Sequence, residues 1–214
     1  QAADEDSPHE VTLTVARLTF ESQSVAGRPA KTRQGTASGY LATTAEQPRA
    51  MPVRIFRPSR FQLPKEKETP IVMFAGGSGI SPFRGFLHGR AADAGPAWLF
   101  IGTRTLADLP YADELAAWTG QGKLNLRVAF SQEAKRLTFE HGSFGTVPGR
   151  RGHIDILIED EADDGALWNM LQSVQDGGAQ ACFYICGQAR FAHTVITALK
   201  KVIARHLAAT PGGA

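Results

Sequence analysis

Residues 70–86 read PIVMFAGGSGISPFRGF, and this stretch decides the fold. Residues 71–75 form an unbroken apolar run, the pattern of a strand buried on both faces. Gly76, Gly77, Ser78 and Gly79 then turn the chain with almost no side-chain bulk. Pro82 suits the first turn of a helix, where a missing N–H costs nothing. The spacing predicts a strand, a glycine turn and a helix N-terminus, which aims free N–H groups at an anion, usually a phosphate. Gly77-Ser78-Gly79 supplies the G-x-G of a dinucleotide fingerprint, but no third glycine stands at the usual place. No Lys-Ser or Lys-Thr follows, which argues against a nucleotide-triphosphate loop. From spacing alone, an ordinary tight strand-to-helix turn remains the alternative.

Downstream of this stretch, apolar runs and amphipathic runs alternate. Strands are expected over 98–102, 124–131 and 182–186, and helices over 82–92, 111–118, 154–158, 165–174 and 189–207. Residues 136–151 read as a glycine-rich basic loop, and 160–164 as a solvated acidic loop. Strands regularly separated by helices imply an α/β fold with a parallel, doubly wound sheet. Ligands of such sheets sit beyond the carboxyl ends of the strands. Each strand here ends in small or polar residues: Gly77-Ser78-Gly79, Thr103-Arg104, Ser131-Gln132 and Gly187-Gln188.

Upstream, residues 11–15 alternate like a half-buried strand, 22–34 form a polar loop, and 51–56 alternate again. Gly35-Thr36-Ala37-Ser38 opens a short helix through residue 41, with Thr36 or Ser38 placed to cap it and face an anion. The charged, proline-stopped stretch 61–68 predicts a domain boundary. Residues 1–66 then read as the end of a β structure, and 67–214 as a strand–helix α/β domain.

Of the 214 residues, 43% are hydrophobic, enough for a sizeable core. A formal charge of +2 predicts no strong field toward nucleic acid or a membrane surface. Cys182 and Cys186 fit neither a disulfide framework nor a zinc spacing, which predicts a reducing, cytoplasmic setting. No stretch reaches membrane-spanning length.

Taken together, GGSGISPFRGFL, LFIGTRTLADLPYADEL, LRVAFSQE, ALWNML, FYICGQAR and the upstream GTASGYL resemble, in order, the motifs of the ferredoxin–NADP reductase superfamily, diflavin reductase branch. The resemblance implies that Gly77, Ser78 and Gly79 receive the nicotinamide nucleotide and that Thr103 and Arg104 meet its phosphates. It places Ser131 and Gln132 on the adenosine side, with Arg150, Arg151, His153 and Asp155 where the 2′-phosphate contacts fall. It puts the catalytic thiol of Cys186, followed by Gly187, beside the nicotinamide C4. Gly35, Thr36, Ala37 and Ser38 match the element that holds the FAD pyrophosphate, so the resemblance makes residues 1–66 the remnant of an FAD-binding antiparallel β-barrel and 67–214 the NAD(P)H-binding domain. The implied function is hydride transfer from NADPH, or NADH, to FAD, with electrons passed to a flavin or haem partner. The alternative is a nucleotide-binding or docking module without turnover.

The departures from the family are specific. Its Arg-x-Tyr/Phe-Ser flavin motif and its C-terminal aromatic are absent, so the chain is expected to be a fragment of a longer reductase and to hold FAD weakly by itself. Gln132 stands where the family has arginine, which predicts weak discrimination between NADPH and NADH.

Overall fold

The computed structural model describes residues 12–24, 29–46, 50, 52, 54, 56, 59–163 and 165–209, with side chains omitted at 46, 161–163 and 209. The chain divides into two compact units, one within residues 3–60 and the other from residue 61 onward.

In the first unit, β1 (Thr19–Glu21) and β2 (Thr32–Gln34) pair antiparallel, Thr19 opposite Gln34, and α1 (Thr36–Glu46) follows. All six strand residues are exposed. Several expectations change here. Residues 12–15 are not strand, and the strand comes four residues later. The supposed loop 22–34 ends in β2, because Thr32-Arg33-Gln34 pairs with β1. The helix runs to Glu46, beyond the short segment its small residues suggested. Val11, Met51, Val53 and Ile55 lie outside the described residues, and Pro52, Arg54 and Phe56 are not in a strand.

The second unit is built, in chain order, from β3 (Ile71–Gly76), α2 (Ser81–Gly89), β4 (Ala97–Thr103), α3 (Ala112–Gly120), β5 (Asn125–Phe130), β6 (Lys135–Glu140), β7 (Ser143–Pro148), α4 (Ile154–Asp163), α5 (Ala166–Leu171), β8 (Cys182–Cys186) and α6 (Ala189–Ala209). Four strands form a parallel sheet in the order β5-β4-β3-β8. The order reverses between β3 and β8: β4 lies on one side of β3 and the last strand on the other. This is the topological switch point, where open α/β sheets bind their ligands.

Strand periodicity sorts the core into two layers. Ile71, Met73 and Ala75 point to one face and pack with Phe83, Leu87, Leu115 and Trp118 from α2 and α3. Val72 and Phe74 point to the other and meet Ile158, Leu167, Val195 and Val202 from α4, α5 and α6. Residues 71–75 are completely buried, so the central strand contributes on the order of 1.5–3 kcal/mol for each large side chain. Pro82 lies in the first turn of α2, as expected, and the buried pair Phe83 and Leu87 is spaced one turn apart. Phe61 begins this unit by packing on Phe83, Phe86 and Tyr184, while the Tyr184 hydroxyl donates to the Gln62 carbonyl at 2.7 Å. Burial, with Cys182 alongside, pushes the Tyr184 phenol up to about 12, so it stays a donor.

The expected basic loop 136–151 is instead a hairpin, β6 paired antiparallel with β7. His141 and Gly142, both at positive φ (52° and 81°), make its two-residue turn. Two left-handed residues match the twist of the flanking strands. Phe139 and Phe144 sit opposite each other with their rings edge-on at 5.6 Å. The acidic stretch expected as a loop belongs, through Asp163, to α4; Asp164 lies outside the described residues. The helix expected over 165–174 stops at Leu171, and a single 3-10 turn, Val174–Asp176, follows it.

Helices α2 and α3, which follow β3 and β4, are tied together by one ion-pair cluster. Arg84 donates to Glu114 at 2.5 and 3.2 Å, His88 lies 2.7 Å from the same carboxylate, and the guanidinium covers the Tyr111 ring at 4.8 Å. Burial pushes the Glu114 carboxyl up, but the hydrogen bond and charge of Arg84, aided by His88, overcome it and hold the group below its ordinary 4.5.

Two predictions follow from these packing features. Gly142→Val should lower stability by about 1–2 kcal/mol, since a side chain is strained at positive φ, while His141→Asn should cost nothing; denaturant midpoints check both. For Glu114 the folded value is depressed, so its contribution is complete above the ordinary carboxylate range and is lost as pH falls through the folded value. The stability of the wild type should therefore decline more steeply below pH 4.5 than that of Glu114→Gln, measured by urea midpoint against pH.

Candidate functional site

The carboxyl ends of β3 and β8 meet at the switch point, and glycines make the meeting possible. A Cβ built at Gly79 would fall 2.1 Å from the Cys186 carbonyl oxygen. Gly79 is therefore small because the end of β8 lies against it, a packing reason that the sequence does not display. Gly77 is different. Its φ is +57°, and a Cβ there would meet nothing within 4 Å. Gly77 thus turns the chain in the left-handed region and leaves open space above the turn. Residues Gly77–Ile80 wind as a 3-10 turn that runs directly into α2, with Ser78 exposed.

Cys186 ends β8 one residue before the exposed Gly187. It is partly buried on the layer that contains α2 and α3, as is Cys182. Burial pushes the Cys186 thiol up, so the group carries its proton at neutral pH.

The ends of β4 and β5 form a second group. Ser131 N–H donates to the Thr103 carbonyl at 2.9 Å, and Gln132 N–H to the Arg104 carbonyl at 3.0 Å. The Glu133 carboxylate accepts the Leu106 N–H at 3.2 Å, locking the two loops together. Gly152 N–H donates to the Phe130 carbonyl at 3.0 Å, which brings the start of α4 to the end of β5. Thr103, Arg104, Ser131, Gln132 and His153 therefore form one row along the edge. Arg104 is turned to Asp108 at 3.0 Å, and its side chain is 67% exposed.

Beside β5, the hairpin base and α4 enclose a cleft of about 430 Å³. Val128, Ala129, Ile156 and Leu157 supply apolar walls, and Lys135, Arg136, Arg150 and His153 bring positive or protonatable groups, with Asp160 opposite. Lys135 pairs with Glu133 at 2.9 Å and Arg150 with Asp160 at 3.8 Å, both pairs exposed enough to be worth at most about 1 kcal/mol each. Arg151 is exposed and does not line the cleft. Lys135 and Arg136 were missed by sequence reasoning, because a loop assignment hides which residues face inward; the alternation on either side of His141-Gly142 was the available signal. Asp155, in the first turn of α4, holds its Oδ1 buried with no hydrogen-bond partner.

In the first unit, Gly35 precedes α1, and Thr36 and Ala37 are exposed in its first turn. Ser38 does not cap the helix: its hydroxyl accepts the Leu18 N–H at 3.1 Å. Among the described residues, no group of acidic, histidine and cysteine side chains could hold a metal, and no helix is long and apolar enough to cross a membrane.

Residues 73–196, more than half of the chain, match the model of the oxidoreductase NAD-binding domain. The chain is 32% identical over 191 residues to NADPH–cytochrome P450 reductase of Drosophila melanogaster, covering 85% of this chain and 25% of that protein. It is 35% identical to the sulfite reductase [NADPH] flavoprotein alpha-component of Baumannia cicadellinicola, covering 92% of this chain and 29% of the other. It is 29% identical to the nitric oxide synthase of Bombyx mori, covering 93% of this chain and 15% of the other. The chain spans less than a third of the length of these relatives. With the parallel sheet, its switch point and this match, the chain belongs to the oxidoreductase NAD-binding domain family.

Proposed function

We propose that this chain binds NADPH along the carboxyl edge of the sheet, as the electron-intake part of a flavoprotein reductase. The observation that carries the reading is the order of the strand ends. From β8 through β3 and β4 to β5, the edge presents Cys186, then Gly77–Gly79, then Thr103 and Arg104, then Ser131 and Gln132. Three inter-strand spacings amount to about 14 Å, which suits an extended dinucleotide.

The nicotinamide end belongs at the switch point, where Gly77 leaves open space and Ser78 offers a hydroxyl. Cys186 presents a protonated thiol there, a polarisable neutral group beside the hydride-bearing carbon rather than a nucleophile. The pyrophosphate belongs near Arg104. Its exposed pair with Asp108 is weak, so the side chain can exchange Asp108 for a phosphate at a cost of about 0–1 kcal/mol and gain a bidentate contact. The adenosine end belongs by β5. Asp155, in the first turn of α4, is the acidic group on this side that suits a ribose hydroxyl by its chemistry. The 2′-phosphate fits Arg136, Arg150 and His153, which line the cleft, with Ser131 and Gln132 as neutral donors and the exposed Arg151 next to Arg150 in the chain as a further positive group. These residues compensate for the arginine that Gln132 replaces.

When bound next to this edge, FAD would supply the hydride-accepting and one-electron-releasing chemistry that serves a flavin or haem acceptor. The exposed first turn of α1, with Thr36 and Ala37, is suited to its pyrophosphate by free N–H groups and the helix dipole. This chain orients the donor, excludes bulk from the switch point and holds the thiol proton in place.

Calorimetric titration with NADP+ and NAD+ at fixed salt tests the reading. NADP+ should bind more tightly, but by less than about a hundredfold, or about 2.7 kcal/mol. Arg136→Ala and Arg150→Ala should each reduce that ratio and leave NAD+ affinity unchanged. Absence of binding by either nucleotide would refute the function. A second expectation concerns the thiol: iodoacetamide should modify Cys186 slowly at neutral pH and faster above its ordinary 9.0, with saturating NADP+ slowing it further. Modification unaffected by NADP+ would remove Cys186 from the site.

A further inference from the structure

We propose that Phe191 is a positioning residue for the nicotinamide end of the nucleotide, holding the turns after β3 and β8 at the spacing that receives the ring. The inference rests on the reading that the carboxyl edge binds NADPH. Phe191 lies in the first turn of α6 and packs on the layer containing Val72, Phe74 and Phe100. Its ring reaches three strand ends at once.

Gly76 gives the sharpest observation. Its φ of −112° and ψ of 111° are ordinary extended values, so its backbone makes no demand for glycine. Yet the three nearest atoms that a Cβ there would meet, at 2.8–3.1 Å, all belong to the Phe191 ring. Gly76 is glycine because the ring occupies the Cβ position. At Gly187 a Cβ would fall 2.9 Å from the ring, and at Gly102 it would lie in contact at 3.9 Å. The ends of β3, β4 and β8 therefore rest on one phenyl ring.

The same ring determines where Cys186 sits. On one side the Cys186 carbonyl abuts Gly79, and on the other the peptide of Gly187 abuts Phe191. The turn after β3 and the thiol-bearing end of β8 are clamped between these two contacts. A misplacement of about 1 Å at a reacting centre can cost on the order of a hundredfold in rate, so such a clamp bears on the nicotinamide and not on the adenosine end.

The test uses the full chain and two probes, NADP+ and adenosine 2′,5′-bisphosphate, which lacks the nicotinamide half. Phe191→Ala and Gly76→Ala should each weaken NADP+ at least fivefold while changing the bisphosphate affinity less than twofold. Gly76→Ala should also lower the thermal midpoint in the wild type but not in the Phe191→Ala background, where the clashing ring is gone. Phe191→Leu, which keeps most of the volume, serves if Phe191→Ala does not fold, and should fall between wild type and alanine. Equal losses for both probes, unchanged NADP+ affinity, or additive midpoint shifts in the double variant would each overturn the proposal. A wild type that binds the bisphosphate but gains nothing from the nicotinamide half would overturn it while leaving the adenosine assignment standing. A wild type that binds neither probe would overturn the functional reading and this inference with it.

Discussion

The contact between Gly79 and the Cys186 carbonyl oxygen is the constraint on which the candidate site depends. It exists because two parallel strands far apart in sequence are neighbours in the sheet, and because neither turn carries a side chain between them. A single methyl group would separate the glycine turn from the cysteine. Everything else at the switch point follows from that closeness. Gly77 takes a left-handed conformation as the chain leaves β3, α2 begins directly after the 3-10 turn, and Phe191 from α6 lies against Gly76 and Gly187.

The electrostatics of the edge are arranged around weak, replaceable pairs. Arg104 and Arg150 sit in exposed pairs with Asp108 and Asp160, so neither is held firmly in its present partnership, whereas Glu133, the partner of Lys135, is also fixed by the Leu106 N–H. The half-buried cluster of Arg84, Glu114 and His88 is the contrast. It joins α2 to α3 through one shared carboxylate.

Much of the fold was legible in the sequence, for physical reasons. β3, β4 and β8 are runs of apolar residues bounded by glycine or polar turns, and such runs have no other stable place than a doubly covered sheet. Pro82, and the spacing of Phe83 and Leu87, marked α2 equally well. The hairpin was not legible from composition, because glycine and arginine suggest a loop. The signal lay in Leu137, Phe139, Phe144 and Thr146 alternating about His141-Gly142. Of the candidate site, Gly77, Cys186 and the row at β4 and β5 could be named from motifs. The roles of Gly76, Gly79 and Phe191 could not, since they depend on which strand ends touch, and a sequence does not display neighbours across a sheet. Lys135 and Arg136 were hidden because the hairpin that carries them to the cleft reads as a loop.

The central claim is that one nucleotide spans the edge from β8 to β5. Amide chemical-shift mapping of the full chain during titration with NADP+ tests it most directly. The account predicts saturable shifts at Gly77, Ser78, Thr103, Arg104, Ser131, Gln132 and Gly187 with a single dissociation constant, and quiet amides at the opposite, amino ends of the same strands. Shifts clustered at those amino ends, or confined to residues 3–60, would contradict it.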